Sequence, residues 1–405
     1  MSEQEQGGLV GVAPTVAVRL AVAQRAGGLA GPVVTAVFAF LIGGLVVLAS
    51  GANPFSTYRA IFDGSGLNWL FPWIGGSARA FAETNLQQTL LLTTALGRSG
   101  LAVALAFRCG LFNIGGQGQY IVGSIFAVWV GSSFQSMNGP LHVVLALVAS
   151  TLAGALYAGV AGVLKALVGA HEVISTIMLN WVAVWTGSWL FGLGGALQSK
   201  ANGGSVPISP DISPGAHLHV FWGSPVLQGL DVGFFVALAC VALYAALLNR
   251  TTLGFEVRAV GFNPEAARYG GIGVARTYVK AMAIAGGFAG LAGAIDVLGW
   301  EFRLSVTDVQ TSQIGFIAIA VAVLGRNRAL GVLASALLFG ALLTGTSTRN
   351  LDPTIFRPDL AGNLTLIIQG LVVLFVGADA LVLWLWNRRR GFRRRAARAA
   401  EAAAT

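Results

Sequence analysis

Charge is scarce in this chain. Only 10% of its 405 residues are Asp, Glu, Lys or Arg, against roughly 25% in a soluble globular domain. That deficit excludes an ordinary soluble fold. Lysine is scarcer still, with only Lys165, Lys200 and Lys280. None of them completes the Gly-x-x-x-x-Gly-Lys-Ser/Thr run whose backbone cradles phosphates. ATP hydrolysis by a P-loop is therefore excluded, no catalytic constellation is visible, and energy must come from another subunit or an ion gradient. Cys109 and Cys240 lie far apart in or beside apolar runs, so no disulfide is expected, and two cysteines decide nothing about compartment. His142, His171, His217 and His219 are scattered. The His217-x-His219 pair lacks a carboxylate or thiol nearby in sequence, so no metal site is expected.

What is abundant is apolar sequence, at 55% of the chain. A bilayer crossing needs about 20 predominantly apolar residues. The pattern predicts an all-α polytopic membrane protein of about ten transmembrane helices. They fall near 32–50, 88–107, 118–134, 141–167, 172–193, 231–248, 274–298, 309–325, 329–346 and 361–386. Residues 1–28 read as a cytoplasmic N-terminal tail with no secretory signal, 29–386 as the membrane domain, and 387–405 as a basic cytoplasmic C-terminal tail. With the N-terminus inside, 18 of the 25 Lys and Arg fall on the inner side. Only Arg59, Arg79, Lys200, Arg303, Arg349 and Arg357 fall outside, and Arg98 lies within a span. That bias follows the positive-inside rule. The net charge of +9 therefore reports orientation in a lipid bilayer, not nucleic-acid binding.

Spans 2–5 and 7–10 run in opposite directions, the arrangement of an inverted repeat with a site between its halves. Ile114-Gly115 and Ile314-Gly315 open similar short apolar runs, each after a polar stretch. Interrupted helices of this kind survive only inside protein or beside water. Many of the 55 glycines sit at small-xxx-small spacing, as in Gly286 to Gly290 and Gly154 to Ala158, which lets helices pack closely in lipid. The outer segments 51–87, 194–230 and 347–360 carry aromatic or charged residues, including Trp69, Phe71, Trp73, Phe221 and Trp222. They read as interfacial anchors or as a docking surface.

Four motifs stand out. The stretch 251–274, TTLGFEVRAVGFNPEAARYGGIGV, is a polar island on the basic inner side. Asn263 suits an N-cap, Pro264 the first helical position and Glu265 the positive helix end, and Gly270-Gly271 can stop the helix. Under two turns long and carrying Arg268 and Tyr269, it suits docking into a partner's groove. The stretch 107–119, FRCGLFNIGGQGQ, clusters the amides Asn113, Gln117 and Gln119 on a glycine-rich backbone, and buried amides need partners. The stretch 172–181, EVISTIMLNW, places Glu172 at a helix start and Asn180 beside Trp181 about two turns in. The stretch 315–332, GFIAIAVAVLGRNRALGV, puts Arg326 and Arg328 in a short inner turn. Phe112, Asn113, Gln117, Asn180 and Trp181 are the candidate substrate path. Arg98, in mid-span, must be compensated. Asp296 is the candidate partner, and water or substrate is the alternative.

Together these motifs resemble bacterial ABC importer permeases of the ribose and branched-chain amino acid type, and within them the nucleoside branch. Similar sequences carry an acidic residue where Gln117 stands. The resemblance spans roughly 30–385. It implies a permease subunit in the bacterial cytoplasmic (inner) membrane, with both termini cytoplasmic, that takes up nucleosides. It also implies two separate ABC ATPase subunits that use the ATP, a second permease subunit of the same or a paralogous kind, and an extracytoplasmic substrate-binding protein or lipoprotein. No cofactor is expected on this chain. Asn263, Pro264, Glu265, Arg268 and Tyr269 would contact the ATPase. A sugar such as ribose, or an ion-driven secondary transporter, are the alternatives. The latter would need buried acidic relays, for which only Asp296 and Asp379 qualify.

Overall fold

The computed structural model describes residues 30–347 apart from 50, 135, 225 and 226, together with residues 363, 366–368, 370, 371 and 374. The tails, the segment 348–360 and most of the tenth expected span lie outside these residues. So do Arg349, Arg357 and Asp379.

The described chain is helical, with one two-stranded hairpin. Helix α1 (Ala30–Ala49) meets α2 (Pro54–Gly64) at a bend of 117°. Asn53 makes that second start, since its side chain accepts from Phe55 N and Pro54 occupies the first helical position. Next come α3 (Gly76–Arg108), α4 (Gly116–Ser133), α5 (Gly139–Val168) and α6 (Glu172–Phe191). An irregular outer segment follows, holding strands β1 (Val220–Trp222) and β2 (Leu230–Asp231), paired antiparallel. Then follow α7 (Gly233–Arg250), α8 (Thr252–Phe262) and the short α9 (Pro264–Tyr269). Helix α10 (Val274–Asp296) continues as a π-helical turn, Val297–Glu301. Helices α11 (Val306–Thr311), α12 (Ile314–Leu324) and α13 (Ala329–Gly345) complete the set.

Among the described residues six helices are long and apolar enough to cross a membrane, or seven if the bent α1–α2 pair is one span. The ten expected spans are not all matched, for physical reasons. Helix α4 carries Gln117, Gln119 and Ser124 among its 18 residues, and α13 has only 17. Both are helical, but one is too polar and the other too short to qualify.

Helices α3 and α10 form the centre. In each, 83% of the most apolar stretch is buried, against 28% in α5 and α6. In lipid the hydrophobic effect does not drive helix association, so close backbone approach must. The small-residue motifs serve this directly. Gly154 and Ala158 on α5 face Gly286 and Gly290 on α10, and a Cβ added to Gly286 would overlap both the Gly154 carbonyl and the Ala158 methyl. We expect Gly286→Leu to prevent this packing, at about 1–3 kcal/mol or more for overpacking. Gly159→Leu on α5, where an added Cβ meets nothing, should be tolerated. Monodispersity on size exclusion in detergent checks both. A Gly286→Leu protein that elutes and melts like wild type would refute the packing account.

Glu172 lies in the first turn of α6, where a carboxylate complements the positive helix end. It also reaches Lys165, 2.8 Å away at the end of α5, and so ties the α5–α6 turn.

Candidate functional site

Helix ends leave backbone N–H and C=O groups unpaired, and inside a bilayer no water satisfies them. Among the described residues, two such breaks are bridged by buried amides. The first is Cys109–Gly115, between α3 and α4. It begins with a left-handed Gly110 (φ 75°), after which Leu111 N donates back to Ala106 O. Asn180 of α6 bridges it: its Oδ1 accepts from Gly118 N at 2.8 Å and its Nδ2 donates to Ile114 O at 2.9 Å. Asn113 and Gln119 exchange a reciprocal pair of amide bonds at 3.0 Å each. The second break, Ser312–Gln313, separates α11 from α12. Here Gln117 of α4 accepts from Gly315 N at 2.8 Å and donates to Ser312 O at 2.9 Å. Gly315 has no Cβ, and one would overlap the Gln117 backbone. The two Ile-Gly runs noted in sequence therefore flank breaks that share one solution, an amide from a neighbouring helix. An acid in place of Gln117 could not donate to Ser312 O, which accounts for an amide at this position.

The sequence-based path residues are thus brought only partly together. The amides of Asn113, Gln117 and Asn180 are buried, and both ends of each are engaged inside the protein. Phe112 packs on Phe107 at 4.8 Å and is 42% exposed, while Trp181 is 57% exposed. Asn180→Ala would strand Gly118 N and Ile114 O. Because an unsatisfied buried group costs about 1–3 kcal/mol, thermal unfolding should show a loss in that range. Unfolding at the wild-type temperature in Asn180→Ala would argue against the bridging role.

Arg98 is fully buried in α3, and Asp296 is its partner, with Nη2 3.2 Å from Oδ1. Nη1 donates to Gly233 O at 3.1 Å, and Tyr120 Oη donates to Asp296 Oδ2 at 2.7 Å. Asp231 is buried beside them and accepts from Gly233 N at 2.6 Å. One guanidinium therefore joins α3, α10 and the start of α7, and Tyr120 adds α4. Tyr120 and Asp231 were not legible as members, because only folding brings β2 and α4 to this point.

Above this cluster lies an outer cavity of about 220 Å³. Its polar lining is Gln88, Gln228, Thr344 and Ser347, with Trp300 one turn beyond Asp296, and no charged side chain lines it among the described residues. None of these side chains stood out in sequence. The outer segments meet nearby: Trp69 and Trp222 lie 5.2 Å apart, and Trp222 Nε1 donates to Glu83 at 2.7 Å.

On the opposite side, α9 has the expected caps. Asn263 Oδ1 accepts from Glu265 N and Ala266 N, and Gly271 takes a left-handed φ of 82°. Glu265 and Arg268 form an exposed pair at 3.9 Å. Phe262 and Tyr269, 93% and 92% exposed, bracket the helix.

Among the described residues, long apolar helices packed around two buried ones, with Arg98, Asp231 and Asp296 in one buried cluster, define a multi-pass membrane protein. Residues 85–377 match the family described as branched-chain amino acid transport system, permease component, and the chain belongs to it. It is 34% identical to the guanosine ABC transporter permease protein NupP of Bacillus subtilis, over 88% of this chain and 95% of that one. It is 32% identical to the nucleoside ABC transporter permease protein NupB of Lactococcus lactis, over 87% and 91%. It is 31% identical to the glucose ABC transporter permease protein TsgB13 of Haloferax volcanii, over 85% and 86%. No solved structure matches it.

Proposed function

We propose that this chain is the permease subunit of an ATP-driven importer of nucleosides, and that its outer cavity receives the solute. The observation that carries this reading is the lining of that cavity. Trp300 offers a ring face, and Gln88, Gln228, Thr344 and Ser347 offer uncharged donors and acceptors. Such a site suits a neutral heterocycle joined to a ribose. An amino acid zwitterion would bury two charges against a lining that, among the described residues, has none. The guanosine and nucleoside permeases among the relatives favour the same solute. The glucose permease keeps a neutral sugar as the second reading.

In this reading the chain sits in the inner membrane with both termini cytoplasmic and pairs with a second permease subunit. Spans 2–5 and 7–10 act as inverted halves. The solute moves inward past Phe112, Asn113, Gln117, Asn180 and Trp181. The three amides shape the wall of this path by holding the two breaks. An outer binding protein docks near the Trp69–Trp222 contact. Separate ATPase subunits hydrolyse ATP and grip Asn263, Pro264, Glu265, Arg268 and Tyr269.

Uptake of labelled guanosine, uridine, glucose and leucine by a deletion strain carrying the gene tests the substrate. Restored nucleoside uptake, lowered about tenfold or more by Trp300→Ala through loss of one stacking contact and its area, is the expected result. Restored uptake of glucose or leucine alone would overturn it.

A further inference from the structure

The inner side holds a second and larger cavity that transport of a neutral solute does not use. It measures about 710 Å³ and lies between α1, α7, α8 and the turn joining α12 to α13. Four arginines line it, Arg108, Arg258, Arg326 and Arg328, and no Asp or Glu does among the described residues. Guanidiniums at an inner membrane face normally extend to water. Here the protein fixes where two of them stand. Arg326 and Asn327 both take left-handed backbone (φ 51° and 53°), which a non-glycine residue adopts only against steric resistance. Two donors from other helices hold the turn: Arg108 Nε and Tyr244 Oη both bond Asn327 O, at 3.0 and 2.8 Å. A turn held by two other helices puts Arg326 and Arg328 on the rim of one concavity.

The rest of the lining identifies the occupant. From Arg328 the cavity follows α13 to Leu338, a rise of about 15 Å. Its wall there is apolar, including Leu248, Leu330 and Ala334. A free phosphate would use the arginines and leave this arm empty. A molecule with a phosphate at one end and hydrocarbon at the other fills both. We propose that this cavity binds an anionic phospholipid of the inner leaflet, with its phosphate among Arg108, Arg258, Arg326 and Arg328 and an acyl chain along α13. Guanidinium forks suit phosphate oxygens, and anionic lipids concentrate where basic residues meet the cytoplasmic surface. Because α8 leads directly into α9, a lipid seated here would steady the base of the inner loop.

The test uses the full-length chain in nanodiscs of phosphatidylcholine doped with phosphatidylglycerol. The readout is retained lipid by native mass spectrometry, with affinity from thermal-shift titration. The wild type should retain phosphatidylglycerol over phosphatidylcholine. At about 1 kcal/mol per basic residue, Arg326→Gln with Arg328→Gln should weaken retention about thirtyfold. Leu338→Trp, which leaves every arginine in place, should also weaken it by blocking the apolar arm. Inorganic phosphate at millimolar concentration should compete poorly. Equal retention of the two lipids, or retention unchanged in both variants, would overturn the proposal. Full displacement by inorganic phosphate, with Leu338→Trp silent, would overturn the lipid and leave a phosphate site. If the arginine double variant fails to fold, the wild-type lipid preference and Leu338→Trp still decide.

Discussion

Arg98→Ala is expected to destabilise the folded protein by about 3–5 kcal/mol, the range for removing one partner of a buried ion pair. The reason is what remains. Asp296 would keep its bond from Tyr120 but lose its counter-charge, and the Gly233 carbonyl would lose its donor. Asp231 would also remain, buried and without the one nearby cation. Adding Asp296→Asn removes the stranded charge, so Arg98→Ala with Asp296→Asn should melt higher than Arg98→Ala alone. Thermal unfolding of the four proteins in one detergent measures the coupling. Strictly additive effects would mean that the pair, although 3.2 Å apart, contributes nothing specific. Since Arg98 joins α3, α10 and the start of α7, we also expect the single variant to expose the α3 core earliest in hydrogen exchange.

The second large effect concerns α9. Exchanging its charges, Glu265→Arg with Arg268→Glu, should leave the chain folded and uncouple it from ATP hydrolysis. Both side chains are exposed and pair only with each other at i,i+3, so the swap preserves that pair. It places a cation at the positive helix end, which costs about 0.3–1 kcal/mol. What it inverts is the face shown to a partner. Phe262 and Tyr269 stand almost fully exposed on either side, and aromatic residues with this exposure are the usual anchors of an interface. Tyr269→Ala should therefore weaken partner binding by about 2 kcal/mol, roughly thirtyfold. Solute-stimulated ATPase activity and uptake in reconstituted complexes are the measurements. Normal stimulation in the charge-swapped protein would refute docking through α9.

Much of this was legible along the chain, because it depends on neighbours in sequence. The short helix Pro264–Tyr269 follows from Asn-Pro-Glu and Gly-Gly, and the structure has these bounds and this cap. The need to compensate Arg98 followed from the cost of a charge in mid-span, and the structure selects Asp296 from the candidates. The small-residue motifs on α5 and α10 were visible as spacing, though which helix each faced was not. The helix count was less legible. Hydropathy read over the whole run does not see that α4 is polar along a buried face, or that the last described helix, α13, stops at 17 residues.

The order of apolar segments, the caps of α9 and the need to compensate Arg98 were determined by the sequence alone. Each rests on short-range geometry or on the bilayer acting as solvent. Only the tertiary structure decided that Asn180 and Gln117 serve the backbone of another helix. Only it closed the outer cavity around Trp300 and the inner one around Arg326 and Arg328. Those residues lie as many as 259 positions apart, as Gln88 and Ser347 do. An amide satisfied by a distant carbonyl has the same composition and periodicity as one that faces a solute. The difference lies in which helices touch, and in lipid that is set by where glycine lets two backbones meet.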